Sequence, residues 1–179
     1  MHNDRFDMLD TDPSFRLRKL TLEDKDFFFQ LYTNLDVLRF ISNPKTEKEI
    51  LAAFESRLIE WNLHSEHWLC LVIEDIETHR PMGLIGFCLS LVNQQRVGEI
   101  SYLIDPTFSG KGIATSALRM LLSSPDYAQI RTFIAVVTEG NIASEKVLVK
   151  NGFSKQKVIT ANYEINGFVY DDICYELNR

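Results

Sequence analysis

Cysteine is scarce in this chain, with three in 179 residues and no C-x-x-C pair among them. Cys70, Cys88 and Cys174 each stand between apolar or aromatic neighbours, the setting of a reduced cysteine buried in a strand. The four histidines (His2, His64, His67 and His79) show no ligand spacing with them, so no zinc or other metal site is expected. An excess of positive charge is also missing. The formal charge of −6 repels a phosphate backbone and counts against nucleic acid as a direct partner. No apolar run, the stretch 82–92 included, reaches the ~20 residues that a membrane helix needs, so no membrane association is expected. Residues 1–14 carry Asp4, Asp7, Asp10 and Asp12 and no apolar stretch, unlike a signal peptide or a basic transit peptide. They are expected to be a mobile polar segment of a cytoplasmic protein. Repeats, low-complexity tracts and Gly/Pro/Ser-rich linkers are absent. With 45% hydrophobic and 25% charged residues, the composition is that of one folded domain spanning residues 1–179 rather than a disordered chain.

What is present is a succession of short periodic segments. Phe15-Arg16-Leu17-Arg18 alternates apolar and basic residues and predicts a first strand. Thr21 to Asp24 reads as a capping signal for a helix through Phe27, Phe28, Leu31 and Tyr32. Thr46-x-x-Glu49 is a capping box for a second helix, with Leu51, Phe54, Leu58 and Trp61 at helical spacing. The period then changes. Residues 68–73, 83–92 and 97–104 are dense in β-branched and aliphatic side chains and predict three strands, the last stopped by Asp105-Pro106. A helix over 112–123, a buried strand over 131–138 and a helix over 141–150 closed by Asn151-Gly152 follow. Asn166-Gly167 predicts a hairpin between strands at 157–165 and 168–177. The order is β-α-α-β-β-β-α-β-α-β-β, a mixed α+β fold.

The chemistry is concentrated in the segment 99–122. Phe108-Ser109-Gly110-Lys111-Gly112-Ile113-Ala114-Thr115 places two glycines directly before an amphipathic helix. Backbone N–H groups unobstructed by Cβ atoms, at a helix N-terminus, form an anion site suited to phosphate. As a motif alone it fits a flexible turn equally well. It is not a Walker A loop, because Gly112 stands where Ser or Thr must follow Gly110-Lys111. Nor is it a dinucleotide-binding fingerprint, because Thr115 takes the place of the third glycine.

Tyr102-Leu103-Ile104-Asp105-Pro106 followed by Ser109-Gly110-Lys111-Gly112-Ile113-Ala114 resembles the coenzyme A-binding motif of the GNAT superfamily of N-acetyltransferases, usually written Gln/Arg-x-x-Gly-x-Gly/Ala. Asn141-x-x-Ser144, Leu148 and Lys150-Asn151-Gly152-Phe153 are similar to a second motif of that superfamily. The opening Arg16-Leu17-Arg18-Lys19-Leu20 and the Asn141-x-x-Ser144 form resemble in particular its Rim-type branch, which acetylates N-terminal amines of ribosomal proteins. The resemblance covers roughly residues 15–177. It implies a central, mostly antiparallel twisted sheet of about seven strands with about four helices, and splayed strands that bind coenzyme A. It implies that acetyl-CoA is the co-substrate. It also implies that the backbone of Tyr102, Leu103 and Ile104 pairs with the pantetheine arm. Amides from Gly110, Lys111, Gly112, Ile113, Ala114 and Thr115 would hold the pyrophosphate, and Asn141 would bond the pantetheine near the thioester. Two departures stand out. Ser109 replaces the usual Gln or Arg, and Leu148 stands where many members carry the tyrosine that protonates the leaving thiolate.

Acyl transfer to nitrogen requires a neutral amine, which a carboxylate can supply by taking the proton directly or through water. Glu99 matches the position of the base in some superfamily members. Val136 occupies the alternative glutamate position five residues before Asn141. Asp171 and Asp172 are the fallback carboxylates. Ser144 or water would protonate the thiolate, although Ser144 and Asn141 also fit as ordinary helix-capping residues. The acceptor is read as a primary amine, a peptide N-terminus or a small amine such as a polyamine, an amino acid or an antibiotic. A non-catalytic acyl-CoA sensor is the competing class, and a nucleotide-binding kinase-like protein is disfavoured by the failed Walker pattern. The assembly is left between monomer and homodimer.

Overall fold

β-Branched and aliphatic stretches form the strands, and the two capping boxes start helical segments where the sequence places them. The computed structural model describes residues 14–92 and 94–179, so the expected polar segment, Ser14 apart, lies outside the described residues. Among the described residues seven strands form one sheet: β1 Phe15–Lys19, β2 Leu69–Asp75, β3 Pro81–Val92, β4 Gln95–Ile104, β5 Thr132–Thr138, β6 Ser154–Ile165 and β7 Phe168–Asn178. Their spatial order is β1-β2-β3-β4-β5-β7-β6. Every neighbouring pair is antiparallel except β4–β5, which is parallel.

The helices are α1 Lys25–Thr33, α2 Leu35–Leu38, α3 Glu47–Leu58, α4 Ile113–Ser123 and α5 Ile142–Lys150. They match the expected set of about four, with α2 added as a single turn started by Asn34, whose Oδ1 accepts from the N–H groups of Asp36 and Val37 at 2.9 and 3.3 Å. Thr46 and Glu49 form the reciprocal box that starts α3. That helix ends at Leu58, so Trp61 lies beyond it and packs edge-on against Phe87 and Tyr127 instead.

Strand alternation divides the core between two layers. On one face, Ile85, Phe87, Ile100, Phe133 and Val137 meet Leu118 and Leu121 of α4 and Leu148 of α5. On the other, Val72, Leu84 and Leu103 meet Phe28 and Leu31 of α1 and Ile50 and Phe54 of α3. At the β6–β7 turn, Asn166 and Gly167 both have positive φ, 52° and 82°, the requirement of a two-residue turn between twisted strands.

The N-terminal half is fastened by a charge cluster. Arg16 donates to Glu74 at 2.6 Å, and Arg18 bridges Glu74 and Asp24, reaching the latter at 2.7 and 2.8 Å. The Arg18 hydrogen bond, opposed by burial and reinforced by Arg16, holds the Glu74 carboxyl down at about 2. A carboxylate depressed in the folded state adds stability above its unfolded pKa and loses it as pH falls through the folded one. The melting-temperature advantage of the parent over Glu74→Gln is therefore expected at neutral pH and shrinks between about pH 5 and pH 2. A difference that stays constant over that range would show that the charge of Glu74 contributes nothing.

Candidate functional site

The site is made by the place where the sheet comes apart. β4 and β5 share only three rungs, Val97 with Thr132, Gly98 with Phe133 and Glu99 with Ile134. Beyond them β4 continues to Ile104 on β3, and β5 continues to Thr138 on β7. The backbone of Ile100 to Ile104 thus presents an edge with no partner strand on the β5 side among the described residues, roughly 17 Å long at ~3.3 Å per residue. A cavity of about 800 Å³ fills the gap, walled by Tyr102, Leu103 and Ile104 on one side and Ala135 to Thr138 on the other. An extended amide-bearing chain can satisfy such an edge as a strand would.

At the far end of β4 the chain enters the glycine loop. Asp105 is buried, accepts from the Thr107 N–H and Oγ1 at 2.8 Å each, and receives Gln30 Nε2 at 3.2 Å, which fixes the turn after the strand. Gly110 and Gly112 follow at φ +76° and +77°, left-handed conformations, and beyond its chain neighbours a Cβ on either meets no atom of the described residues within 4 Å. Gly112 starts α4 without a capping side chain, so the first-turn N–H groups of Ile113, Ala114 and Thr115 lack helical acceptors. Gly110, Gly112, Ile113, Ala114 and Thr115 all line the cavity. Lys111 does not. Its Nζ lies 5.2 Å from the Phe108 ring centroid, and Arg80 lies 5.0 Å from the same ring. Lys146 and Lys150, one turn apart on α5, line the same cavity. Free amides, a helix N-terminus and these cations fit the phosphates of coenzyme A. The Lys146/Lys150 pair was not singled out from sequence, although its i, i+4 spacing was the available signal.

Asn141 combines two roles in one side chain. Its Oδ1 caps α5 by accepting the Ser144 N–H at 3.2 Å, while Nδ2 makes no hydrogen bond among the described residues and the side chain lines the cavity. Ser144 lines it too, and the Tyr102 hydroxyl lies 2.6 Å from Ser144 Oγ. Burial pushes the Tyr102 phenol up to about 12, with the Ser144 hydrogen bond offsetting part of the effect. The phenol of Tyr102 was not foreseen, because the sequence motif concerns only its backbone. Leu148 is fully buried in the core and presents nothing to the cleft.

Glu99 sits at the apex, the last residue of β4 paired to β5. Its side chain is exposed, on the sheet face of Ser101 and Leu103, and is not among those lining the cavity. That face of the gap is bordered by Asp36 and Phe40 from α2 and the segment after it, and by Tyr163 and Asp172 of the β6–β7 hairpin. Asp172 is buried and accepts Asn162 Nδ2 at 2.7 Å. Asp171 accepts the Ala161 N–H at 2.8 Å and does not line the cavity. Asn43 ties the two walls together, donating to the Glu164 carbonyl at 2.9 Å and accepting the Asn166 N–H at 2.7 Å. The gap therefore has two approaches, one between α4 and α5 and one between the segment 34–43 and the β6–β7 hairpin. No helix among the described residues is long and apolar enough to cross a membrane.

Comparison with known proteins agrees with this geometry. The chain is 29% identical over 183 aligned positions to the uncharacterized N-acetyltransferase YoaA of Bacillus subtilis, covering 96% of this chain and 97% of that one. Its fold matches a spermidine N-acetyltransferase from Vibrio cholerae, solved with CoA and spermine, with a TM-score of 0.79 at 20% identity over 93% of this chain and 96% of the other. It also matches RimL, a ribosomal L7/L12 alpha-N-protein acetyltransferase solved with coenzyme A, with a TM-score of 0.78 at 21% identity over 93% and 95% of the two chains. The family model for the acetyltransferase (GNAT) domain matches residues 14–154, from the first strand through the parted β4–β5 pair and the glycine loop to the end of α5. This chain belongs to the GNAT superfamily of acetyltransferases, enzymes whose acyl donor is acetyl-coenzyme A.

Proposed function

We propose that this single acetyltransferase domain moves the acetyl group of acetyl-CoA onto a primary amine by direct attack. The observation that carries the reading is the parting of β4 and β5 next to a glycine loop with free helix-start amides, because it offers an arm site and a phosphate site in one cleft. The edge of Tyr102, Leu103 and Ile104 holds the arm, the amides from Gly110 to Thr115 with Lys111 alongside hold the pyrophosphate, and Asn141 Nδ2 bonds the arm near the thioester. Backbone N–H groups of the open strand stabilise the oxyanion. Glu99, at the apex, takes the proton of the attacking amine through water from the exposed face, and the Ser144 hydroxyl serves the leaving sulfur. Asp172, on the hairpin wall, is the alternative base.

The acceptor reaches the apex between α2 and the β6–β7 hairpin. A peptide N-terminus is the first reading, supported by the opening Arg16-Leu17-Arg18-Lys19-Leu20 and the Asn141-x-x-Ser144 form, the features similar to the Rim-type branch. A small cationic amine is the second, favoured by Asp36 and Asp172 on the acceptor walls and by the net charge of −6, which attracts cations. Release of free coenzyme A thiol from acetyl-CoA should be followed across N-terminal peptides, their N-terminally blocked forms and polyamines. Turnover with free but not blocked peptides is the expected result, and turnover with polyamines alone selects the second reading. Thiol release with none of them, despite tight acetyl-CoA binding, would favour a sensor over an enzyme.

A further inference from the structure

We infer that Tyr102 is a positioning residue for the leaving group: its phenol donates to Ser144 Oγ and turns the Ser144 hydroxyl hydrogen into the cleft, toward the sulfur that departs from the acetyl group. This rests on the reading of Ser144 given above.

The geometry supplies the argument. Tyr102 projects from the open edge of β4 to the first turn of α5, where its oxygen lies 2.6 Å from Ser144 Oγ and 3.2 Å from the Ser144 carbonyl oxygen. Either oxygen of the shorter contact could donate; we assign the proton to the phenol, the more acidic of the two hydroxyls, and the accepting role to the more basic serine oxygen. Ser144 Oγ has no other hydrogen-bond partner among the described residues, so once it accepts from Tyr102 its own hydrogen is free to be donated. Its backbone is pinned as well, since its N–H bonds Asn141 Oδ1 at 3.2 Å. Both side chains line the same cavity. A phenol raised by burial keeps its proton across the whole range in which an amine is acetylated, and so remains a donor throughout. It orients the serine and does not ionise. With Leu148 fully buried, Ser144 is the residue of α5 that brings a hydroxyl to the cleft.

The step balances without a further reagent. The amine nitrogen forms a bond to the acetyl carbon while the carbon–sulfur bond breaks and its electron pair goes to sulfur. The amine proton passes to the base and on to water. The thiolate first receives the O–H···S hydrogen bond from Ser144 and then takes a proton from water, while Tyr102 and Ser144 finish as they began.

The test compares Tyr102→Phe, Ser144→Ala and the double variant with the parent. Tyr102→Phe keeps the ring and removes only the donor. It should lower kcat roughly 10- to 100-fold, the range of one lost hydrogen bond to a charged partner, with the KM for acetyl-CoA within about twofold. The double variant should be no slower than Ser144→Ala, because the two groups act as a unit. A second readout needs no turnover. The thiol of coenzyme A bound to the parent should titrate, by its ultraviolet thiolate absorbance, about one unit below its value free in solution, and both single variants should return it to the free value. An unchanged kcat in Tyr102→Phe, additive losses in the double variant, or the same thiol titration in all proteins would overturn the assignment. A raised KM with kcat unchanged would also overturn it, by making Tyr102 a brace for the arm. Should no amine be acetylated at all, the titration still decides the role of Tyr102, so that failure remains separate from failure of the acetyltransferase reading.

Discussion

Glu99→Gln is expected to lower kcat by roughly 10²–10⁴ at neutral pH, the usual contribution of a positioned base, while leaving the affinity for acetyl-CoA unchanged. The glutamine keeps the size and hydrogen-bonding reach of the side chain but accepts no proton. Its position makes the separation of effects sharp, because Glu99 stands on the last shared rung of β4 and β5 and outside the lining of the cofactor cavity. Rising pH should partly restore the variant, since more of the acceptor then arrives as the neutral amine that can attack. An exposed glutamate with no role would show neither the loss nor the rescue. If kcat is unchanged with a good acceptor, the base assignment moves to Asp172, whose carboxylate borders the gap from the hairpin side.

Gly112→Val should abolish measurable binding of acetyl-CoA. Gly112 has φ +77°, and the space where a Cβ would stand holds no protein atom, at the lip of a cavity into which the α4 amides open. A branched side chain there occupies room that the pyrophosphate needs. Valine in a left-handed conformation also costs about 1–2 kcal/mol of folding stability, so loss of binding must be separated from loss of fold. Gly167 supplies the control: its φ is +82°, its surroundings are equally open, and it lies in the β6–β7 turn outside the cavity lining. Gly167→Val should bring a similar drop in melting temperature while the stabilisation by acetyl-CoA persists by mass action. Equal binding by both variants would remove the glycine loop from the phosphate site.

The strands were legible because their apolar runs are short, β-branched and separated by strong turn signals. The same holds for the Thr46–Glu49 box, whose partners are three residues apart and were found bonded to each other. Features that depend on distant partners were not legible. The spatial order β5-β7-β6, and the three-rung limit of the β4–β5 pairing, are set by long-range contacts that no local pattern encodes. β6 begins at Ser154, earlier than the expected 157, because it is an exposed edge strand whose first residues, Ser154-Lys155-Gln156, have no buried face to impose alternation. Trp61 continues the helical spacing of α3 past the end of the helix, since Ile59 turns extended there.

The glycine loop and Asn141 were read through a resemblance, and the structure places both on one cavity. The Tyr102–Ser144 contact joins residues 42 apart in sequence and needed coordinates. The walls contributed by Asp36, Phe40 and Tyr163 needed them too, because α2 is a single turn with no periodic signature of its own.

The central claim, direct transfer of acetyl from coenzyme A to an amine in the parted β4–β5 cleft, is tested most directly by a single turnover with acetyl-labelled acetyl-CoA and excess enzyme, followed by mass spectrometry of protein, acceptor and cofactor. The account predicts one labelled amide on the acceptor nitrogen for each free thiol released, and no label on the protein at any time. Label retained by a protein side chain, or thiol released as labelled acetate with no amide formed, would contradict it.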